Sequence, residues 1–387
     1  MTALSLDLEG IDYVQDGQEI VLYRLDGDKK ISLPCQLDNG HTAKLWFIPD
    51  RIIQPNEKLI LEVSTKKEVV SQNQAIALTD KTTITLKHND KNILSYYYGL
   101  HDVPKGINPL YKKSGFVHPL WSPGGKVLTR IQPTDHYHHY GIWGPWTKTI
   151  IDGRHVDFWN LAEGQGTVSF AGILSTVSGP VYCGLKVKQD HIDFKYPGES
   201  KKTVMTEVLD IRASACQIED KTVWIIDYTS TLHNNLASPI ELENYRYGGG
   251  IGFRATEQWK KDNCTVLTSE GKNREQADGT SARWCDVNGQ TGKDEYSGIL
   301  FLSHTANRQH PEPMRVWPLN SAGGGEMFFE FCPIRHKSWI IEPQKEYVLR
   351  YRMIVYDGKI KTENAEALWG AFTRPPTITK INNVEDK

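Results

Sequence analysis

Residues 134–146 of this chain read Thr-Asp-His-Tyr-His-His-Tyr-Gly-Ile-Trp-Gly-Pro-Trp. Buried imidazoles need partners and indole N–H groups need acceptors, so this mixture makes a poor core and a good lining for a pocket that grips something flat and hydroxylated. On a strand, His136 and His138 would point one way while Tyr137 and His139 point the other. Two imidazoles two apart can chelate a metal, but the Glu that a cupin-type site places a few residues further on is missing. Three readings stand: a metal-free sugar- or acid-binding pocket, histidines bonded to backbone and to Asp135, and a divalent metal at His136 and His138. No cofactor is predicted. Trp143, Trp146 and Trp159 offer flat faces and single donors that suit the C–H face of a pyranose ring.

Further blocks supply polar groups. Arg130 can clamp a carboxylate or pair with Asp157, and His118 precedes Pro119 in an extended segment. A second block holds Arg246, Gly248-Gly-Gly250, Arg254, Glu270 and Arg274. Glu270 and Arg274 read either as a solvated loop ion pair or as a general base with a hydroxyl anchor. A third block holds His304, His310, Arg315 and Trp317 in and after a loop. Nucleotide motifs are absent: the spacings G-x-G-x-x-G and G-x-x-x-x-G-K-[ST] both fail, and so does the G-x-S-x-G elbow of serine hydrolases.

The elements that must carry these groups are strands. Glu346–Tyr356 alternates with period two, Thr82–His88 and Ile93–Tyr98 flank the polar turn 89–92 as a hairpin, and Thr222–His233 is rich in β-branched and aromatic residues. Glu241–Arg254 reads as one strand with a bulge or close backbone approach at its glycine run. Helical spacing is confined to Thr362–Phe372, with Thr362 as N-cap and Pro375-Pro376 as the stop. Asp-Gly and Pro-Gly-Gly turns punctuate short strands elsewhere. The pattern predicts an all-β fold: a large antiparallel β-sandwich with a small N-terminal β unit and one short C-terminal helix. The expected boundaries are 1–70 for the N-terminal unit (strands at Ile20–Leu25, Ala43–Ile48 and Lys58–Val63, a turn at Pro55, a linker at Lys66–Asn73), 71–376 for the sandwich, and 377–387 for a tail.

Among 387 residues, a formal net charge of −2 argues against nucleic acid or an anionic membrane as partner. No apolar run approaches the roughly 20 residues of a membrane span. The N-terminus lacks the pattern of a signal peptide, which predicts a cytoplasmic protein if the chain is complete and a periplasmic one if a leader was removed. Six scattered cysteines without a C-x-x-C pair read as free thiols.

Several ordered motifs carry a resemblance: Gly115-Phe-Val-His-Pro-Leu, Leu128-Thr-Arg-Ile-Gln-Pro, Asp135-His-Tyr-His-His-Tyr-Gly-Ile-Trp, Val156-Asp-Phe-Trp-Asn, Arg246-Tyr-Gly-Gly-Gly-Ile-Gly-Phe-Arg, Thr268-Ser-Glu-Gly-Lys and Asn307-Arg-Gln-His-Pro. With Leu33-Pro-Cys-Gln-Leu and Leu45-Trp-Phe-Ile, they cover most of the chain. The chain resembles the bacterial PmoA-like family, domain of unknown function 6807. Ser303 stands before His304 where that family usually has an acidic residue, which weakens a catalytic role there. Methane oxidation, which the label suggests, belongs to a membrane protein and is rejected. The resemblance implies carbohydrate metabolism, and the fold it suggests is similar to the supersandwich of galactose mutarotases.

The expected function is therefore a carbohydrate-active enzyme working on a sugar, oligosaccharide or glycoside by acid–base chemistry: hydrolysis, elimination or epimerisation. His138 or His139 would be the general acid, with Glu270 as partner. Arg130, Arg246 and Arg254 would orient hydroxyls or a carboxylate, Trp143 and Trp159 would form a stacking platform, and His118, Asp135, His136, Asp157, Arg274, His304 and His310 would complete the binding wall. The alternatives are a carbohydrate-binding protein without turnover and a metal-dependent β-sandwich enzyme.

Overall fold

The computed structural model describes residues 3–7, 18–38, 43–51, 53, 57–67 and 74–376. Two large antiparallel sheets dominate, one of nine strands and one of eight. The alternation seen in the sequence now has two partners. Ile84, Leu86, Leu94, Tyr96, Val117, Ile142, Ile251, Phe253, Phe329 and Phe331 of the nine-stranded sheet pack in one core with Val187, Leu209, Ile211, Trp224, Ile226, Met353 and Val355 of the eight-stranded sheet. This is the expected sandwich. Four short strands (Lys148–Ile151, Arg154–Asp157, Ile240–Leu242, Trp339–Ile341) form a further sheet that adds Ile151, Val156, Ile240 and Ile341 to the same core. The outer face of the eight-stranded sheet buries Ile225, Leu300, Leu302 and Ile354 against Ala365 and Leu368 of the helix Thr362–Thr373.

The long strands lie where alternation placed them, at Lys221–Asn234 and Glu346–Asp357. The hairpin Thr83–His88 and Lys91–Tyr97 closes through Asn89-Asp90, with Asn89 left-handed at φ 50°, as a tight hairpin turn demands. Three expectations need correction. Lys361, not Thr362, is the N-cap of the helix, and it caps without a side-chain hydrogen bond. Glu241–Arg254 is not one bulged strand: Ile240–Leu242 and Ile251–Arg254 belong to different sheets. Gly248, Gly249 and Gly250 all have positive φ; one such residue makes a bulge, but three in succession break the strand. The close approach expected there is real, since a Cβ on Gly249 would lie 1.9 Å from the Trp146 ring and one on Gly250 2.1 Å from the Phe331 carbonyl. Third, the histidine segment is a pair of turns rather than a strand: His136 N–H donates to the Pro133 carbonyl and His139 N–H to the His136 carbonyl.

At the N-terminal end, Gln18–Asp26, Lys29–Leu33 and Ile60–Lys67 form one three-stranded sheet, and Leu4–Asp7, Cys35–Asp38 and Lys44–Phe47 another. Leu22, Leu33, Leu45 and Phe47 give them a core of their own. The expected turn at Pro55, most of the linker (68–73) and the tail 377–387 lie outside the described residues. All six cysteines are free thiols. No helix among the described residues is long and apolar enough to cross a membrane.

Candidate functional site

The nine-stranded sheet has a second face, turned away from the core, and the pleat decides what it carries. Strand pairing sets Trp143, Gly252, Glu330 and Arg315 side by side in one row across four strands. The next row holds Arg254 and Phe328, with Trp317 N–H bonded to the Phe328 carbonyl. Phe116 and Tyr140 join Trp143, Trp159, Leu161, Trp317 and Phe328 in a buried aromatic cluster on this face. The loops 130–141, 157–164, 243–250 and 317–326 lie over it. Gly141, at φ 59°, lets the first loop return to the sheet, because a Cβ there would meet the Val117 carbonyl at 2.2 Å.

The two turns in 133–139 bring all three imidazoles together instead of splitting them between faces. Ring centroids are 5.4 Å apart for His136 and His138, 4.7 Å for His136 and His139, and 4.9 Å for His138 and His139. They differ in access. The His136 side chain is 34% exposed, His138 is partly buried, and His139 is sealed at 1%. His139 stacks on Trp159 at 5.3 Å and touches Trp143, Trp317 and Phe328. Its Nε2 has no partner and its Nδ1 lies a long 3.5 Å from Arg254. Burial, reinforced by the neighbouring His138 and Arg254 charges, holds its pKa well below the usual imidazole value. Burial and the neighbouring His136 push His138 down to about 4, with Asp135 opposing.

An ionic lattice frames this cluster. His136 Nδ1–H donates to Asp135 Oδ2 at 2.9 Å. Arg254, fully buried, donates to both Asp135 oxygens at 3.1 and 2.8 Å, bonds Glu326, and lies under the Trp317 ring at 4.7 Å. Arg130 Nη2 bridges the same two carboxylates, 3.3 Å from Asp135 and 2.9 Å from Glu326. Lys260 reaches the other Glu326 oxygen at 2.7 Å. Burial alone would raise the Asp135 pKa, but Arg254 and the His136 bond outweigh it and hold it below the usual value.

Of the residues expected from sequence, Arg130, Asp135, His136, His138, His139, Trp143, Trp159 and Arg254 converge here. Trp143 and Trp159 are 2% and 5% exposed, so they are walls rather than an open stacking platform. Trp159 is fixed by its indole N–H on the His138 carbonyl at 3.1 Å. Trp146 belongs to the central core. Arg246 is exposed at the edge, over the Tyr247 ring at 5.3 Å.

The others do different work. Asp157 does not pair with Arg130: its carboxylate caps its own loop by accepting from the Trp159 and Asn160 amides, both at 2.8 Å, which places Trp159. Arg274 is an anchor, not a substrate contact, because its guanidinium donates to the carbonyls of Trp317, Gly325, Glu326 and Lys260. It does not pair with Glu270, which sits beside Ser269 and Arg283 and shares no hydrogen bond or ion pair with the histidines. His118 bonds Thr129 at 2.9 Å, and burial with nearby His101 brings its pKa down to about 4. His304 and His310 pack on Phe372 and Trp369 of the C-terminal helix.

Glu326, Lys260, Tyr247 and Phe328 were not singled out from sequence. Glu326 follows Gly323-Gly-Gly325, but a carboxylate after a glycine run is too common a signal to select it. Among the described residues no three His, Cys, Asp or Glu side chains are placed to hold a metal ion, and His136 Nδ1 is already taken by Asp135.

Comparison with solved structures gives three distant likenesses. A GH36 α-galactosidase, AgaA from Geobacillus stearothermophilus, matches at 9% identity and TM-score 0.32, over 73% of this chain and 40% of that one. The heparan sulfate lyase HepC from Pedobacter heparinus matches at 11% and 0.34, over 76% and 38%. A galactose mutarotase related enzyme from Lactobacillus acidophilus matches at 8% and 0.31, over 73% and 97%. The chain thus spans about two fifths of the length of the first two. A search of curated proteins found no match. The model of a family of unknown function, DUF6807, matches residues 83–370, and the chain belongs to that family.

Proposed function

We propose that this chain is a carbohydrate-active enzyme, PmoA-like within its family as the sequence resemblance implies, acting on a sugar or glycoside by acid–base chemistry at the 130–139 loop. One observation carries this reading: a half-buried imidazole oriented by a carboxylate, His136 on Asp135, stands beside a second, partly buried imidazole, His138, on an aromatic wall. A ring nitrogen fixed by a carboxylate leaves the other nitrogen aimed and ready to accept a proton. The neighbouring aromatic edges and carboxylates suit the mixed apolar and hydroxylated surface of a sugar. His136 and His138 replace His138 and His139 as the acid–base pair, because His139 is sealed. Glu270 drops out as partner, since it shares no hydrogen bond or ion pair with the histidines, and Glu326 holds Arg130 and Arg254 beside Asp135.

A binder without turnover would need open stacking faces, and the near-complete burial of Trp143 and Trp159 speaks against it. The test measures sugar binding by calorimetry, and turnover of mono- and oligosaccharides, for wild type, His136→Ala and His138→Ala. Removal of a general acid or base costs roughly 10²-fold or more in rate. We expect that loss with affinity largely kept. Affinity changes without any turnover in wild type would establish the binder, and no sugar binding at all would remove the carbohydrate reading.

A further inference from the structure

The loop 243–250 brings a hydroxyl with a proton to spend against the histidine cluster. Tyr247 is partly buried, with its ring 5.1 Å from that of Trp159. Its hydroxyl oxygen accepts from Arg315 Nη2 at 3.1 Å and from Trp317 Nε1 at 3.0 Å. Guanidinium and indole nitrogens only donate, so the direction of both bonds is fixed. The phenol's two acceptor positions are taken and its own O–H is left over. No side chain or carbonyl among the described residues accepts it.

Trp317 ties this O–H to the imidazoles. The His136 ring packs on the indole at 5.0 Å, and the indole nitrogen holds the Tyr247 oxygen. One indole therefore separates the phenol from His136, a span comparable with a pyranose and its substituents.

The charge beside the phenol is positive. Arg246 is exposed, lies over the Tyr247 ring at 5.3 Å and meets no carboxylate among the described residues. Lys148, over the Tyr245 ring at 4.6 Å, meets none either. Arg315, 4.9 Å from the Tyr247 ring, shares the single carboxylate of Asp278 with Arg335, which also donates to the Arg246 carbonyl. The other carboxyls at this loop are Glu243, bonded to His155, and the fully buried Glu330. Burial pushes the Glu330 pKa well above the usual carboxylate value, so it adds little negative charge near neutral pH. The rest of the face does not cancel the excess. Arg130, Arg254 and Lys260 are matched by Asp135, Glu326 and Glu257. Arg274 meets only backbone carbonyls, and Asp157 only backbone amides and Asn160. Buried Lys113 and exposed Glu163 likewise lack a partner of opposite charge.

We infer, resting on the sugar reading above, that the bound sugar carries a negatively charged substituent, a carboxylate or a sulfate ester, and that the Arg246 guanidinium and the Tyr247 hydroxyl hold it at the edge of the histidine cluster. An anion only accepts, so it takes the spare O–H and a cation that no carboxylate occupies. Arg315 and Trp317 fix the phenol oxygen, so Tyr247 meets the anion without first having to be ordered. Tyr247 and Arg246 thus set specificity, and the sugar ring extends from them toward His136.

The test measures binding to the full chain by calorimetry, at low and high salt, for three probes: methyl β-D-glucuronide, D-glucose 6-sulfate and methyl β-D-glucoside. We expect at least one charged sugar to bind about 10-fold or more tighter than the glucoside, as one charge-assisted hydrogen bond provides, with the advantage shrinking in salt. The glucuronide and the sulfate tell the two anions apart. Arg246→Gln should remove most of the advantage and leave glucoside affinity unchanged. Tyr247→Phe should do the same with the ring kept. That variant strips Arg315 and Trp317 of an acceptor, so urea denaturation is run beside it, and Arg246→Gln, at an exposed position, carries the test if Tyr247→Phe unfolds. A glucoside bound as tightly as both charged sugars, or a preference that survives Arg246→Gln or a folded Tyr247→Phe, would overturn the inference while leaving the sugar reading intact. Absence of binding by every probe would remove both.

Discussion

His139 shows how far residue type can mislead about role. It lies in the densest chemical segment of the chain, yet its ring is walled by Trp143, Trp159, Trp317 and Phe328, and its Nε2 meets nothing. A buried imidazole with an unpaired nitrogen carries a desolvation cost that an apolar side chain of similar volume avoids. The same burial drives its basicity down, so it cannot serve as a proton donor near neutral pH. His139→Leu should therefore leave the stability from urea denaturation within about 1 kcal/mol of wild type and leave sugar turnover unchanged. A rate loss comparable with that of His136→Ala would show that His139 takes part in the chemistry after all. Composition singled out residues that the fold brings together, since eight of those named from sequence converge. Their individual tasks were hidden because access and hydrogen-bond partners come from segments far away in sequence: Asp135 owes its state to Arg254, and Trp159 owes its position to Asp157.

At the level of elements, period two made the long strands legible, but it failed where glycine and turn chemistry took over. The stretch after Leu242 alternates well enough to resemble a strand. Three consecutive positive-φ glycines turn it into a loop instead, and that loop sets Tyr247 between Trp159 and Phe328. Tyr247 in turn receives hydrogen bonds from Arg315 and Trp317 on its hydroxyl. The loop is locked, not loose. Gly248 N–H is held by the buried Glu330 carboxyl at 2.6 Å, and Gly249 lies against Trp146. Gly249→Ala combines a left-handed backbone with a Cβ inside the indole, at φ 75° and 1.9 Å. Overpacking and the conformational penalty together should cost about 3 kcal/mol, read as a lowered denaturation midpoint, and should weaken sugar binding through displaced Tyr247. A variant with wild-type stability would mean that the loop yields easily, and that Trp146 does not fix it. Arg274 acts on the facing loop in the same spirit, since four backbone carbonyls end on one guanidinium.

Over the whole molecule, the sandwich buries acids outside the 130–141 loop, Glu312 and Asp286 among them, and these give its stability a pH signature. The N-terminal sheets share in that whole: Gln36 accepts from the Val181 and Tyr182 amides at 3.1 and 3.0 Å, and Asp38 bonds Tyr182 and Arg212. We propose that residues 1–70 form a unit of their own that is docked through these bonds. Between the main sheets Glu312 is fully buried, accepting from Tyr351, Ser303 and Asn307 at 2.7, 2.7 and 3.2 Å. Burial outweighs those bonds and pushes its pKa up to about 7 from an ordinary 4.5. Asp286, bonded by Tyr356, is likewise pushed up to about 7 by burial. An acid whose pKa is raised in the folded state stabilises that state fully below its unfolded value, and the contribution is lost as pH rises through the folded value. For Glu312 that loss amounts to roughly 3 kcal/mol between pH 4.5 and 7. The depressed His118 and His138 work in the opposite sense across an overlapping window: stability is lost as pH falls from 6.5 to about 4. The absolute profile is consequently flattened, and the informative quantity is a difference. Glu312→Gln cannot ionise, though its amide meets donors where the carboxyl accepted, so it should be less stable than wild type at pH 5. By pH 8 that gap should shrink by about 3 kcal/mol, because only wild type carries the cost of the buried charge. Urea denaturation at the two pH values measures it, and a gap independent of pH would mean that Glu312 is not the acid that titrates in this core.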